Sequence, residues 1–274
     1  MVGLVQYLRS PASGFAQAQA SYLCWLATIC LGVLLLTCPS TSIAEPPCPN
    51  RSLVIVVNGA GGFEVCASVI YQVVAEDRLP LDVVSYRWTH GYLRIPADQM
   101  DAAHMARQGQ RLAEYILACR RTAPERPVFL LGHSAGCGLV LCAAEQLPPQ
   151  TLEGIVLLAP AVSSEHDLRP VLASVCRSVD VYISHRDWFC LSIGTLLAGT
   201  TDRCFTFSPA GRVGFRPILT CAADVLLYGK LRQFLWDPCL RWTGNKGGHY
   251  GAHQPGFLRH FVLPVSLSTA PKTP

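Results

Sequence analysis

The sequence predicts an α/β domain, with a mostly parallel central sheet and helices on both faces. Two observations carry that reading. Between Ser52 and Val262, short β-branched runs alternate with longer stretches of helical period, the pattern of strands joined by helical crossovers. The chain has 274 residues and 50% of them are hydrophobic, enough to bury one substantial core, so a single folded domain is expected over residues 52–265.

The elements follow in order. Ser52–Val57 ("SLVIVV") reads as a strand that stops at Asn58-Gly59-Ala60-Gly61-Gly62, and Phe63–Glu76 as a helix. Leu81–Trp88 is the next strand. Ala103, Met105, Ala106, Leu112, Ile116 and Leu117 form an apolar stripe that predicts a helix over Asp98–Arg121. Val128–Leu131 is a strand, followed by a glycine-flanked turn and a helix that ends near Gln146. Strands at Gly154–Leu158 and Val179–Ile183 enclose a helix over Asp167–Cys176, and helical character returns at Phe189–Leu197. Thr200–Pro217, broken by Pro209, Gly211, Gly214 and Pro217, reads as an irregular excursion that could cover a site. A last strand is expected at Leu231–Trp236, then a Gly-rich loop, a terminal helix over Gly256–Val262 and a flexible tail over 266–274.

The N-terminus differs in kind. Tyr22–Thr37 carries no charge, Arg9 lies upstream, and Ser42-Ile43-Ala44 places small residues at both subsites of a cleavage point. That is the layout of a secretory signal peptide over residues 1–44, and the run is short for a relaxed transmembrane helix. An uncleaved anchor, with membrane association through residues 22–37, is the competing expectation. The Pro-rich "AEPPCPN" reads as a linker over 45–51. Ten of the 13 Cys follow Ala44, compatible with an exported protein in an oxidising compartment, with Cys176, Cys190, Cys204, Cys221 and Cys239 as candidates for pairing. No Cys-x-x-Cys pair or Cys/His cluster has metal-ligand spacing. A net charge of +4, spread without a basic run, gives no footprint for nucleic acid.

The chemistry concentrates in "RPVFLLGHSAGCGLVLCAAE", Arg126–Glu145. Gly-x-Ser-x-Gly alone is a weak pattern, but here "VFLL" supplies a strand before it and "CGLVLCAAE" a helix behind it. A strand that stops and a helix that starts within a few residues force Ser134 into a strained conformation with its hydroxyl lifted above the sheet. Gly132 and Gly136 fit because side chains there would collide with the neighbouring strand and helix. A serine hydroxyl is too weakly acidic to attack a carbonyl unaided, so an imidazole must take its proton and a carboxylate must hold that imidazole.

With this elbow the chain resembles the α/β-hydrolase superfamily from about Leu53 to Val262, and the resemblance implies the order serine, acid, histidine. His249 in "GNKGGHYG" is the expected base, on a loop able to swing over the nucleophile, with His253 as the competitor. His260 in the terminal helix is expected to face core or solvent, and His133 to point away from the line of attack. His90, His104, His166 and His185 read as surface or capping groups. The resemblance puts the acid past a late strand, where "SHRDWF" offers Asp187; Asp167 in "SSEHDLRP" is the alternative, although a helix N-terminal role suits it. Asp202, Asp224 and Asp237 read as structural. An oxyanion needs two backbone N–H donors. Ala135 is one, and "NGAGGF", similar to the His-Gly-x loop of esterases and lipases with Asn58 in place of His, implies Ala60 as the other, with Gly61 as a substitute.

The fragments "YRWTHG", "LLGHSAG", "LLAPAVSSEHDLRP", "GTTDR", "AGRVGF" and "GGHYG" also resemble a group of exported α/β-hydrolase-like proteins of planctomycete-type bacteria, which brings no substrate with it. The expected function is a lipase- or esterase-like serine hydrolase acting on a small-molecule or lipid ester, with no metal or organic cofactor. An acyltransferase, thioesterase or amidase using the same residues, and a non-catalytic binding module of the cell envelope, are the competing readings. Neither substrate size nor oligomeric state follows from the residues.

Overall fold

The computed structural model describes residues 51–193, 199–202, 206 and 208–266. The apolar run at 22–37, its flanks, Cys204 and the tail beyond 266 lie outside the described residues. Among the described residues no helix is long and apolar enough to cross a membrane.

Six described strands form one sheet: β1 (Ser52–Val57), β2 (Leu81–Tyr86), β3 (Val128–His133), β4 (Leu152–Leu158), β5 (Val175–Ile183) and β6 (Leu231–Leu235). Their order is β2-β1-β3-β4-β5-β6, and every pairing is parallel. A parallel sheet must be covered on both faces, and the alternation within β1 assigns the faces. Leu53, Ile55 and Val57 pack with α3 (Ala102–Thr122), α4 (Gly136–Ala144), α5 (Arg169–Ser174) and α6 (Ala222–Tyr228). Val54 and Val56 pack with α1 (Val65–Glu76) and the C-terminal helix. That last helix runs as an α turn, a π turn and an α turn over Pro255–Phe257, Leu258–Val262 and Leu263–Ser266.

The topology decides where a site can form. From β1 the chain moves to β2 on one side, then returns through α2 (Ile95–Met100) and α3 to β3 on the other side of β1. The loops leaving β1 and β3 therefore diverge, and the crevice between them at the carboxyl edge is the place where open α/β sheets bind ligands.

Several boundaries differ from expectation. The helix expected over Asp98–Arg121 is two helices, because Asp101 leaves helical geometry (φ −86°, ψ 84°) and its carboxylate caps α3 by accepting the His104 N–H at 2.8 Å. Val175 and Cys176, expected to end a helix, instead open β5, where a β-branched residue fits the pleated surface. The expected helix at Phe189–Leu197 is a π turn over Trp188–Ile193, and 194–198 lie outside the described residues. The helix α6 was not expected. Its N-cap is Cys221, and Asp224 at the third helical position closes a capping box by accepting from the Cys221 N–H and from the Thr220 N–H and hydroxyl, a signal obscured by Cys at the cap position.

The described parts of 200–217 are tied to the body. Thr201 N–H donates to Ala161 O, Ala210 N–H to Val162 O and Gly211 N–H to Pro160 O, and Ala210–Val213 forms one helical turn. His166 secures the same region, with Nδ1 3.1 Å from Asp202 and Nε2 2.8 Å from Glu145 at the end of α4. Burial alone would lower the His166 pKa, but the two carboxylates outweigh it and raise it from 6.5 to about 9. A group held above its unfolded value stabilises fully below that value and loses the contribution as pH rises through the folded one. Stability should therefore fall between pH 6.5 and about 9, by up to roughly 3 kcal/mol. Urea melts across this window check it, and His166→Gln should flatten the dependence.

Candidate active site

The turn after β3 has the strain that its sequence demands. Ser134 sits at φ 54°, a left-handed conformation that costs a non-glycine residue on the order of 1–3 kcal/mol. Its N–H donates to Leu158 O at the end of β4, and its carbonyl accepts from Cys137 and Ala161. A Cβ on Gly136 would lie 2.4 Å from the carbonyl oxygens of Val57 and Asn58, and one on Gly132 would lie 2.8 Å from Cys137 Cα. Glycine at both positions lets α4 start against the end of β1, which lifts the serine above the sheet edge.

Two late loops reach this serine. After β5, Asp187 N–H bonds back to Ser184 O, closing a turn that holds the carboxylate at the sheet edge. After β6, the Gly-rich loop is pinned by Ser184 Oγ donating to Gly247 O (2.6 Å), by Gly247 N–H donating to Asn245 Oδ1 (2.9 Å) and by Trp236 Nε1 donating to Asn245 O (3.0 Å). His249 then lies with Nδ1 2.6 Å from Asp187 Oδ2 and Nε2 2.9 Å from Ser134 Oγ. A carboxylate only accepts, so Nδ1 carries the proton and Nε2 is free to accept from the serine hydroxyl. The side chains of His249 and Asp187 are 10% and 2% exposed, which shields the relay from competing water.

The structure thus brings Ser134, Asp187 and His249 together, and the alternatives lie elsewhere. Asp167 bonds the Arg169 guanidinium and accepts the Arg169 N–H where α5 begins. His253 packs against both His133 and Tyr250, with ring centroids 4.7 and 5.4 Å away, and those two rings also touch each other at 5.7 Å. Burial, reinforced by His249, lowers its pKa to about 4, and its buried Nδ1 makes no hydrogen bond among the described residues. The Gly61 N–H donates to Asp98 Oδ2 at 2.7 Å and is not free for an oxyanion. The N–H groups of Ala60 and Ala135 donate to no acceptor among the described residues.

Two contributions escaped the sequence. His133, expected only to point aside, bonds through Nε2 to His249 O at 3.1 Å and so anchors the loop of His249 to β3. Asn58, which stands where the His-Gly-x loop has histidine, accepts from Ala67 N–H and donates to Ser85 Oγ, joining β1, α1 and β2 beneath the loop. Neither role leaves a local signal, because His249 lies 116 residues from His133 and Ser85 lies 27 from Asn58.

Ser134, His249 and Ala60 line one cavity of about 550 Å³ with Phe63, Val65, Ile95 and Pro96. Among the described residues its wall includes no Asp, Glu, Lys or Arg. Cys190 also lines it, and with Asp187 and His249 it offers three ligand atoms within 4.8 Å of one another. Asp187 and His249, however, already hydrogen-bond each other through such atoms. Cys190, Cys221 and Cys239 carry free thiols, so the pairing considered for them does not form among the described residues.

An all-parallel sheet in this order, with a serine elbow at its switch point and acid and histidine on the loops after β5 and β6, decides the architecture. The chain has the α/β-hydrolase fold. Within this fold, residues 84–187 match the model of the serine aminopeptidase S33 family. Rat monoglyceride lipase is 28% identical over 119 residues, which is 43% of this chain and 38% of the lipase. A monoglyceride lipase homolog of monkeypox virus is 27% identical over 116 residues, 42% of this chain and 40% of that protein. The chain thus spans about two fifths of the length of these relatives. A CIB-like hydrolase from Thermoplasma acidophilum is a similar solved structure, at TM-score 0.44 and 14% identity, covering 78% of this chain and 85% of that one.

Proposed function

We propose that this α/β-hydrolase is a serine hydrolase of carboxylic esters, lipase- or esterase-like, acting through an acyl-enzyme on Ser134. The observation that carries the reading is the continuous relay from Asp187 through His249 to Ser134 Oγ, at 2.6 and 2.9 Å. Ser134 Oγ bonds to the acyl carbon while His249 Nε2 takes its proton, and Asp187 steadies the imidazolium that results. The carbonyl oxygen becomes an oxyanion held by the N–H groups of Ala60 and Ala135. Collapse breaks the bond to the alcohol, which leaves with the proton from His249; water then repeats the sequence and releases the acid.

The cavity favours an ester over an amino-terminal peptide. A free α-amine would call for a carboxylate in the wall, whereas the described lining has none and combines the apolar Phe63, Val65, Ile95 and Pro96 with the uncharged polar Asn58 and Gln99. Val65, Ile95 and Tyr250 are also exposed at 47%, 42% and 55%, an apolar surface suited to an acyl chain. The monoglyceride lipase relatives point to the same substrate class.

Labelling with a fluorophosphonate tests the reading, with Ser134→Ala as the control. Folded wild-type protein that stays unlabelled and does not hydrolyse p-nitrophenyl butyrate would overturn it. Export through residues 1–44 belongs to the same proposal and rests on the uncharged run at 22–37 and the small residues at 42–44. Protein purified from its host should begin at Glu45, and retention of the residues before it would favour an anchor.

A further inference from the structure

A buried carboxylate on α2 grips the glycine loop that faces the nucleophile. The Asp98 side chain is fully buried. Its Oδ2 accepts the Gly61 N–H at 2.7 Å, and its Oδ1 accepts the His90 N–H at 2.7 Å and bonds the His90 ring through Nδ1 at 2.9 Å. The far side of that ring meets Asp101, with Nε2 3.2 Å from Oδ2. The other face of the Gly61 residue is closed as well, because the Leu93 N–H donates to Gly61 O at 2.9 Å.

The loop needs such a grip. Asn58-Gly59-Ala60-Gly61-Gly62 has three glycines in five residues, and Gly61 and Gly62 stand at φ 91° and 73°, so the backbone itself resists rotation little. An oxyanion donor stabilises a transition state only if it is already aimed before charge develops. The Gly61 N–H lies in the peptide plane that follows Ala60. Fixing that plane leaves the Ala60 N–H, one peptide earlier, with no partner among the described residues and on the wall of the cavity that holds Ser134.

We propose that Asp98 is a positioning residue for the oxyanion site: by holding the Gly61 N–H it keeps the Ala60 N–H directed at the carbonyl oxygen of the bound ester. This rests on the ester-hydrolase reading of Ser134. Asp98 acts through the loop and touches no reacting atom. His90 supports it from the other side of the carboxylate.

The test is Asp98→Asn and Asp98→Ala in the full chain, assayed with p-nitrophenyl butyrate. Turnover should drop by about 10- to 100-fold, part of the 10²–10³ that a whole oxyanion donor supplies, while KM stays within about 3-fold. Inhibition by an alkylboronic acid, whose tetrahedral adduct places an oxygen in the same site, should weaken by the same factor as kcat. Hydrogen exchange at the Gly61 amide should be slow in wild type and fast in the variants. A folded Asp98→Asn protein with wild-type kcat and boronate affinity overturns the proposal. So does a rise in KM with kcat kept, which would assign Asp98 to substrate binding. If neither variant folds, the wild-type protein decides, because a Gly61 amide that exchanges as fast as exposed loop amides overturns the grip itself. Failure of the hydrolase reading looks different: wild type neither turns over esters nor takes up fluorophosphonate, while the Gly61 amide stays protected.

Discussion

His249→Ala should lower turnover of p-nitrophenyl esters by on the order of 10⁴- to 10⁶-fold, and Ser134→Ala by a comparable factor, because the two groups act as one unit. Without the imidazole the Ser134 hydroxyl has no acceptor for its proton. The alanine leaves Asp187 buried at 2% exposure without its ring partner, so a modest loss of stability is also expected. His253→Ala separates function from mere proximity. His253 lies four residues on and lines the same cavity, but its ring packs against those of His133 and Tyr250 and its pKa is lowered to about 4, chiefly by burial. Its removal should cost packing, seen as a lower melting temperature, and leave the chemical step within about tenfold of wild type. Steady-state kinetics on both variants check this, and the opposite ranking would move the base to His253. The double variant Ser134→Ala with His249→Ala should be little worse than either alone, since neither residue has chemistry to do without the other.

The elements that could be read from the sequence are those whose cause is local. "VFLLGHSAG" carries its own strand, its turn glycines and its helix start, so the elbow and Ser134 follow from contiguous residues. The same holds for β1 and for the loop bearing His249. What could not be read depends on partners brought together by folding. His133 earns its role only because the loop 116 residues further on returns to place a carbonyl 3.1 Å from its ring. Gly61 looked like an acceptable donor in a flexible turn, and only the approach of Asp98, 37 residues later, takes its N–H away. The break at Asp101 was hidden because the apolar stripe of α3 runs smoothly through its neighbourhood, while the cap depends on a side chain. Asp187 lies between these cases. Its place after a strand could be read from sequence, but the 2.6 Å bond to His249 required the whole sheet.

Asp187→Asn isolates the contribution of that bond. The carboxylate can only accept, so it selects the tautomer with the proton on Nδ1 and leaves the Nε2 lone pair facing Ser134 Oγ at 2.9 Å. An asparagine amide of nearly the same shape can present its NH₂ group instead, stabilising the tautomer with the proton on Nε2. That ring cannot accept from the serine. It also loses the negative charge that offsets the imidazolium formed as the proton moves. A fall in kcat on the order of 10⁴ is expected, with KM changed much less, because substrate binding does not use this bond. The fold should survive, since Asp187 N–H still closes its turn on Ser184 O. Asp167→Asn is the counterpart. Asp167 is bonded to Arg169 at the start of α5, so its loss should loosen that helix and leave turnover near wild type. Kinetics with a circular dichroism melt of each variant distinguish the two outcomes. Equal kcat for Asp187→Asn and wild type would remove the carboxylate from the mechanism, whereas a large kcat loss in Asp167→Asn at an unchanged melting temperature would transfer the role to it. The expected pattern follows from position alone: one acid faces the imidazole at the sheet's carboxyl edge, and the other has already spent its oxygens on a guanidinium.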